Sequence, residues 1–238
     1  MGQVSLQLQL MKLPLKKDAR GVSLEGEKRG VKQIMDNKVF LFPLTNSVLF
    51  KKVTLPYHIF EPRYRQMIRD SLAMQIPVAI VPYHPSNLYR GEVCVAGLPH
   101  ILSTYPDGRM DIYITGSVKC RLTEFDSEEP YKVYQYKILE EDMTVDESFA
   151  LELDSFKVLL ERWALHFLPD PVQRETFSNT LDDPELLVNY CTVFLVDEFN
   201  TKKEVMEANS LKEKMRILMN VIGPKEISLG PFMPTLRF

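Results

Sequence analysis

The strongest constraint in this sequence is a single change of period. Up to about residue 143 the apolar residues alternate or sit in short runs. From Thr144 they recur at helical spacing: Phe149, Leu153, Phe156, Leu160, Trp163 and Phe167 lie four, three, four, three and four residues apart. That stripe is a seam for packing against other helices. A chain that passes once from strands to helices predicts an α+β fold. A small curled sheet or pseudo-barrel comes first, and a C-terminal helical bundle follows.

The first half reads as strands punctuated by turns. Val39–Phe42 is an apolar run closed by Pro43, and Val53–Tyr57 is a second. Pro77–Pro82 is fully apolar, as a strand buried on both faces would be. Glu92–Thr104 reads as one strand bent at Gly97-Leu98-Pro99, and Pro106-Asp107-Gly108 supplies hairpin chemistry after it. The next run alternates most clearly. Ile112, Ile114, Val118, Cys120 and Leu122 face one way, and Tyr113, Thr115, Ser117, Lys119 and Arg121 face the other. Gly116 interrupts it, where a strand bulges or bends. Tyr131–Leu139 is a further strand. One helix interrupts the series. Pro62 suits a first helical position, and Glu61 places negative charge beside the helix N-terminus. Tyr64, Met67, Ile68 and Leu72 form its apolar face, with Arg63, Arg65, Arg69 and Asp70 opposite.

In the second half, Thr144–Glu147, Thr201–Glu204 and Ser210–Glu213 each have the spacing of a capping box. Asp183-Pro184 opens a helix carrying Leu187, Tyr190 and Phe194. The last helix shows Leu211, Met215, Leu218 and Ile222, and Gly223-Pro224 stops it. The expected organisation is an N-terminal extension (1–37, with a strand at Val4–Leu10), a β-rich part (38–143), a helical bundle (144–223) and a tail (224–238).

Several function classes are disfavoured by composition and motif. The 238 residues carry a net charge of −3, which opposes bulk coating of nucleic acid. No apolar run approaches the roughly 20 residues of a membrane helix. Neither a secretory signal nor a myristoylation pattern is present, so a cytoplasmic protein is expected. Cys94, Cys120 and Cys191 are odd in number and far apart in sequence, and read as buried thiols. No phosphate-binding loop, Gly-x-Ser-x-Gly or Ser-x-x-Lys occurs. The four histidines (His58, His84, His100 and His166) show no metal-site spacing. No catalytic residue, cofactor site or metal site is assigned.

The runs FPL and LPYHIFEPRYR, with the amphipathic helix after them, resemble the start of the Lon protease N-terminal domain. Gly91-Glu92-Val93-Cys94, the Pro-Asp-Gly hairpin, Gly116, Pro130-Tyr131 and Asp182-Asp183-Pro184-Glu185 continue the resemblance in order, over roughly residues 38–222. One departure is visible. The family usually has Phe-Pro-Gly after the first apolar run, and this chain has Phe50-Lys51-Lys52. The resemblance implies a PUA-like β fold with a packed helix and a helical segment after it. It also implies a module that engages protein or peptide substrates. Lon proteases carry ATPase and protease modules beyond this domain, and the chain as read holds neither.

Three readings follow. The first is a non-catalytic protein- or peptide-binding module, in protein quality control or as an adaptor, with a protease or unfoldase as partner. Its candidate contacts are Tyr57, His58, Phe60, Arg63 and Tyr64, and the junction between β part and bundle is its expected groove. The second is RNA binding, suggested by similarity to PUA-type folds and needing a basic concave surface. The third is a hydrolase with no recognisable motif. Oligomeric state is not legible.

Overall fold

The computed structural model describes residues 37–86 and 88–222. The expected Val4–Leu10 strand, nearly all of the 1–37 extension, the Gly223-Pro224 stop and the tail lie outside the described residues.

Among the described residues, eight strands build two sheets. They are β1 (Lys38–Leu44), β2 (Thr54–Ile59), β3 (Val78–Pro82), β4 (Val93–Gly97), β5 (Pro99–Thr104), β6 (Met110–Thr115), β7 (Val118–Ser127) and β8 (Val133–Ile138). Five close into a barrel in the order β1-β3-β4-β7-β8, with β1 pairing back onto β8. The other three form a sheet in the order β2-β6-β5. β1 and β3 run parallel, and helix α1 (Pro62–Met74) lies in the connection between them.

Alternation explains why β1, β3 and β4 are apolar on both faces. Val39 and Leu41 of β1 point into the barrel with Ala79, Val81, Cys94, Cys120 and Leu122. Phe40 and Phe42 point outward, and with Val78 and Ile80 they join the core built on α1 and the second sheet. On β1, β3 and β4 almost no face is left for water, so these three strands read as continuous apolar runs, whereas β7 and β8 expose polar residues toward their far ends. Register also closes the sequence distance between two cysteines. Cys94 pairs with Cys120 across β4 and β7, and their sulfurs lie 3.7 Å apart as free thiols.

Two expected strands prove to be two each. The Glu92–Thr104 run divides at Leu98, and its halves belong to different sheets. The run through Gly116 divides likewise, with β6 in the second sheet and β7 in the barrel. Close approach is the cause. A Cβ on Gly97 would strike the Thr115 carbonyl, and one on Gly116 would strike the Phe50 carbonyl. The two glycines let the sheets cross at contact distance.

The bundle comprises α2 (Ala150–Phe167), α3 (Pro171–Thr180), α4 (Pro184–Leu195), α5 (Phe199–Glu207) and α6 (Leu211–Val221). The α2 seam packs as its spacing predicts, with Trp163 stacked on Phe194 at 4.2 Å and on Phe167 at 4.9 Å. Asp183 caps α4 by accepting from the backbone of Glu185 and Leu186. Ser210 caps α6, and Glu213 returns a bond to the Asn209 N–H. Two expected caps are displaced. Thr144 donates to Asp142, and the helix opens later, through a 3₁₀ turn capped by Asp146. Thr201 lies inside α5, whose cap is Glu198. Helix α3 was not legible from apolar spacing, although Asp170-Pro171 repeats the cap chemistry of Asp183-Pro184.

Candidate functional site

The motif from Tyr57 to Tyr64 runs out of β2 and into α1, and its residues split between core and surface. Strand alternation turns Tyr57 inward, where it is 8% exposed and meets the Phe42 ring edge-on at 5.9 Å. Burial pushes its phenol pKa upward. Tyr57 therefore serves packing and is withdrawn from any surface contact. His58 turns outward. Its Nδ1 lies 2.6 Å from Oδ1 of Asp111, its register partner on β6. Oδ2 of Asp111 accepts from the Tyr105 hydroxyl at 2.6 Å and from Ser103 at 3.3 Å. Burial raises the Asp111 pKa, but the bonds from Tyr105 and His58 outweigh it and hold the carboxyl below its ordinary value. An ionised Asp111 can only accept, so Nδ1 carries the proton in this contact.

Phe60 also turns outward and is 61% exposed, with the His58 ring 6.4 Å away. Glu61 occupies the N-cap position of α1 without capping it through its side chain. Arg63 folds back instead, and both its Nε and Nη2 reach Oε2 of Glu61 at 2.9 Å. The same guanidinium lies 4.5 Å above the Tyr64 ring. Tyr64 is mostly buried against Phe42, with ring centroids 4.8 Å apart.

Beside Arg63 and Tyr64 opens a cleft of about 570 Å³ at one end of the barrel. Barrel closure assembles it. Leu41 N–H donates to the Lys132 carbonyl, and Tyr83 N–H donates to the Leu44 carbonyl. These two bonds bring three distant segments beside Pro43. Leu41, Tyr64 and Tyr131 form the buried wall. Tyr83, 59% exposed, and the turn from Glu128 to Lys132 form the open rim. Lys132 donates to Glu128 at 2.8 Å, and the Tyr131 hydroxyl donates to Asp70 at 2.7 Å. Tyr83, Glu128, Glu129 and Lys132 were not singled out by the sequence, because neither the parallel pairing of β1 with β3 nor the closing pairing of β1 with β8 has a local signal.

A charged cluster lies at the junction of barrel and bundle, where a groove is expected. Lys119 of β7 was expected on the outer polar face, but it is only 2% exposed. Its ammonium donates to the carbonyls of Glu207 and Ala208 at 2.9 and 2.7 Å. Glu141 pairs with Lys51 and Lys214, both at 2.9 Å, and with Lys119 at 3.4 Å. Lys52 reaches Asp183 at 2.6 Å and Glu185 at 2.8 Å. The Phe50-Lys51-Lys52 departure acquires a structural reason here. Lys52 adopts a left-handed φ of 64°, a conformation natural to glycine, and the two lysines tie this turn to the start of α4.

Among the described residues, no cluster of three or more His, Cys, Asp or Glu has the arrangement to hold a metal ion. Nor, among them, is any helix long and apolar enough to cross a membrane.

Residues 38–222 match the family model for the ATP-dependent protease La (LON) substrate-binding domain. The chain belongs to that family. Its sequence is 25% identical over 184 residues to the Lon protease of Flavobacterium johnsoniae, covering 73% of this chain and 22% of that protease. The chain thus spans under a quarter of that relative's length. Two solved structures share its fold. The Lon N-terminal domain protein from Xanthomonas campestris superposes with a TM-score of 0.59 at 16% identity, covering 77% of this chain and 97% of that one. The N-terminal domain of the Mycobacterium avium complex Lon protease gives 0.60 at 16% identity, covering 77% and 96%. A barrel-like sheet with helices is the α+β architecture that the change of period predicts.

Proposed function

We propose that this chain is a binding module that engages extended protein segments without acting on them chemically. It would take them on the surface that runs from Phe60 and His58 into the cleft beside Arg63 and Tyr64, and would present them to a protease or unfoldase in the cytoplasm. The observation that carries the reading is the exposure of aromatic rings where the motif meets the cleft. Phe60 and Tyr83 leave more than half their surface in water, although neither gains stability there. Exposed rings bordering a concave site are the usual anchors of polypeptide recognition. Family membership supports the same reading.

The alternatives draw less support. Three carboxylates line the cleft, and they oppose a phosphate backbone. The His58–Asp111 pair has the form of a base held by a carboxylate, but the neighbouring Ser103 and Tyr105 hydroxyls bond to Asp111 and not to the imidazole.

The test uses overlapping peptides immobilised from unfolded proteins, followed by fluorescence anisotropy on the best binders. The double change Phe60→Ser and Tyr83→Ser is expected to weaken binding at least tenfold, a loss of about 1.4 kcal/mol, with the circular dichroism spectrum unchanged. Undiminished affinity in a folded double variant would remove this surface from the account.

A further inference from the structure

We infer that the cleft selects a basic side chain, lysine or arginine, within the extended segment it binds. This rests on the polypeptide-binding reading above and adds the class of ligand. The inference comes from what the lining residues leave uncommitted. Arg63 is held by two contacts to one oxygen of Glu61. Lys132 is held by Glu128 and lies 5.9 Å from the centre of the Phe125 ring. Both cations of the cleft are therefore neutralised within it. Glu129, between Glu128 and Pro130 on the rim, has no ion pair or hydrogen bond to any described residue.

The aromatic faces divide in the same way. Arg63 already covers Tyr64. The Tyr131 ring packs on Phe40 at 4.8 Å, and its hydroxyl is spent on Asp70. Tyr83 keeps its ring exposed on the rim. A carboxylate without a partner among the described residues and an exposed tyrosine face, on a cleft also lined by Pro43 and Pro130, match a charged head on an aliphatic stem. A carboxylate or phosphate would meet three carboxylates, and would have to break an existing ion pair to reach a cation. A wholly apolar side chain would leave Glu129 without a partner. The cleft is also large enough for neighbouring residues, at about 570 Å³ within the usual range for ligand sites.

The experiment is anisotropy on the full chain with two labelled peptides, identical except for a central lysine or glutamine among apolar residues. The lysine peptide is expected to bind about fivefold tighter, the combined scale of a cation–π contact and a partly exposed ion pair. That preference should shrink as salt is raised. Glu129→Gln should reduce the preference towards unity, and Glu129→Lys should turn it in favour of a glutamate peptide. The Glu129 side chain is exposed and has no partner among the described residues, so neither change should alter the fold.

Equal affinity for the lysine and glutamine peptides, with binding still lost in the Phe60→Ser, Tyr83→Ser variant, would overturn the basic-ligand inference and leave the binding module standing. Binding of neither peptide would overturn both. The chain carries its own basic stretch at Lys12–Arg20. If the lysine peptide bound more tightly after Lys16→Gln and Lys17→Gln, the cleft would belong to that stretch, and the assignment to a partner protein would fall.

Discussion

The barrel–bundle junction and the cleft at the end of the barrel use the same kinds of residue to opposite ends. Both collect lysines or arginines against glutamates. At the junction the centre of the cluster is buried, and one carboxylate, Glu141, is shared by buried Lys119 and Lys214, from β7 and α6, and by half-buried Lys51 from the 50–53 turn. At the cleft the pairs are local and open to water on at least one side, Arg63 with Glu61 and Lys132 with Glu128, and Glu129 has no partner among the described residues. Burial makes the difference. A buried charge must be paired within the fold, so it fixes how elements sit on each other. A pair in water contributes little to stability and can be rearranged for a ligand. The junction ties barrel to bundle, and the cleft is where binding is proposed.

The comparison is broken most severely at Glu141. Glu141→Gln leaves three buried or half-buried ammonium groups without their common carboxylate, and should cost about 3–5 kcal/mol in urea unfolding. Glu128→Gln at the cleft should cost less than about 0.5 kcal/mol by the same measurement.

Acid should act on the junction next. Burial raises the Glu141 pKa, but the Lys214 and Lys51 charges and bonds outweigh it, so it lies below its ordinary value of 4.5. Asp183 is likewise raised by burial and lowered further by Lys52 and the α4 backbone, below 3.8. The folded values lie under the unfolded ones. The stability they contribute is therefore complete above the ordinary carboxylate range and is lost as pH falls through the lower folded values. Chemical denaturation between about pH 6 and pH 3 should show this fall, and the Glu141→Gln protein should show a shallower one.

A smaller effect separates conformation from charge at Lys52. Lys52→Ala loses the bonds to Asp183 and Glu185 and keeps the left-handed backbone, whereas Lys52→Gly loses the same bonds and relieves the backbone. The glycine variant should be the more stable of the two by about 1 kcal/mol in thermal or urea unfolding.

The smallest effect on stability is expected at the rim. Phe60→Ser should move the unfolding midpoint hardly at all, within about 0.5 kcal/mol. Tyr64→Ala, four residues on but packed against Phe42, should cost about 3 kcal/mol. The pair of variants sharpens the division of one short motif into a binding half and a packing half.

Much of this was legible in the sequence. Pro62 opens α1, Asp183-Pro184 opens α4, and the Phe149–Phe167 stripe packs where its spacing places it. These signals are local, and local chemistry decides them. Gly116 was legible as a break, but not as the point where a strand passes from one sheet to another, because the obstructing Phe50 carbonyl is distant in sequence. Lys119 was misplaced for a related reason. Alternation identified its face of β7, and nothing nearby showed that the bundle covers that face. At the candidate site, the motif named Phe60, His58 and Arg63 as contacts alongside Tyr57 and Tyr64, and only the first three prove exposed, whereas Tyr83 and Glu129 enter only through barrel closure. Tyr57 and His58 show the limit of a motif read as a unit, since strand alternation sends neighbours to opposite sides.

The most direct test of the account is amide hydrogen exchange on the full chain with and without a bound lysine-containing peptide. Added protection is predicted at residues 60–65, around Tyr83 and over 128–132, with exchange around Lys119, Glu141 and Lys214 unchanged. Protection gained at the junction, with the cleft unaffected, would contradict the division on which the proposed function rests.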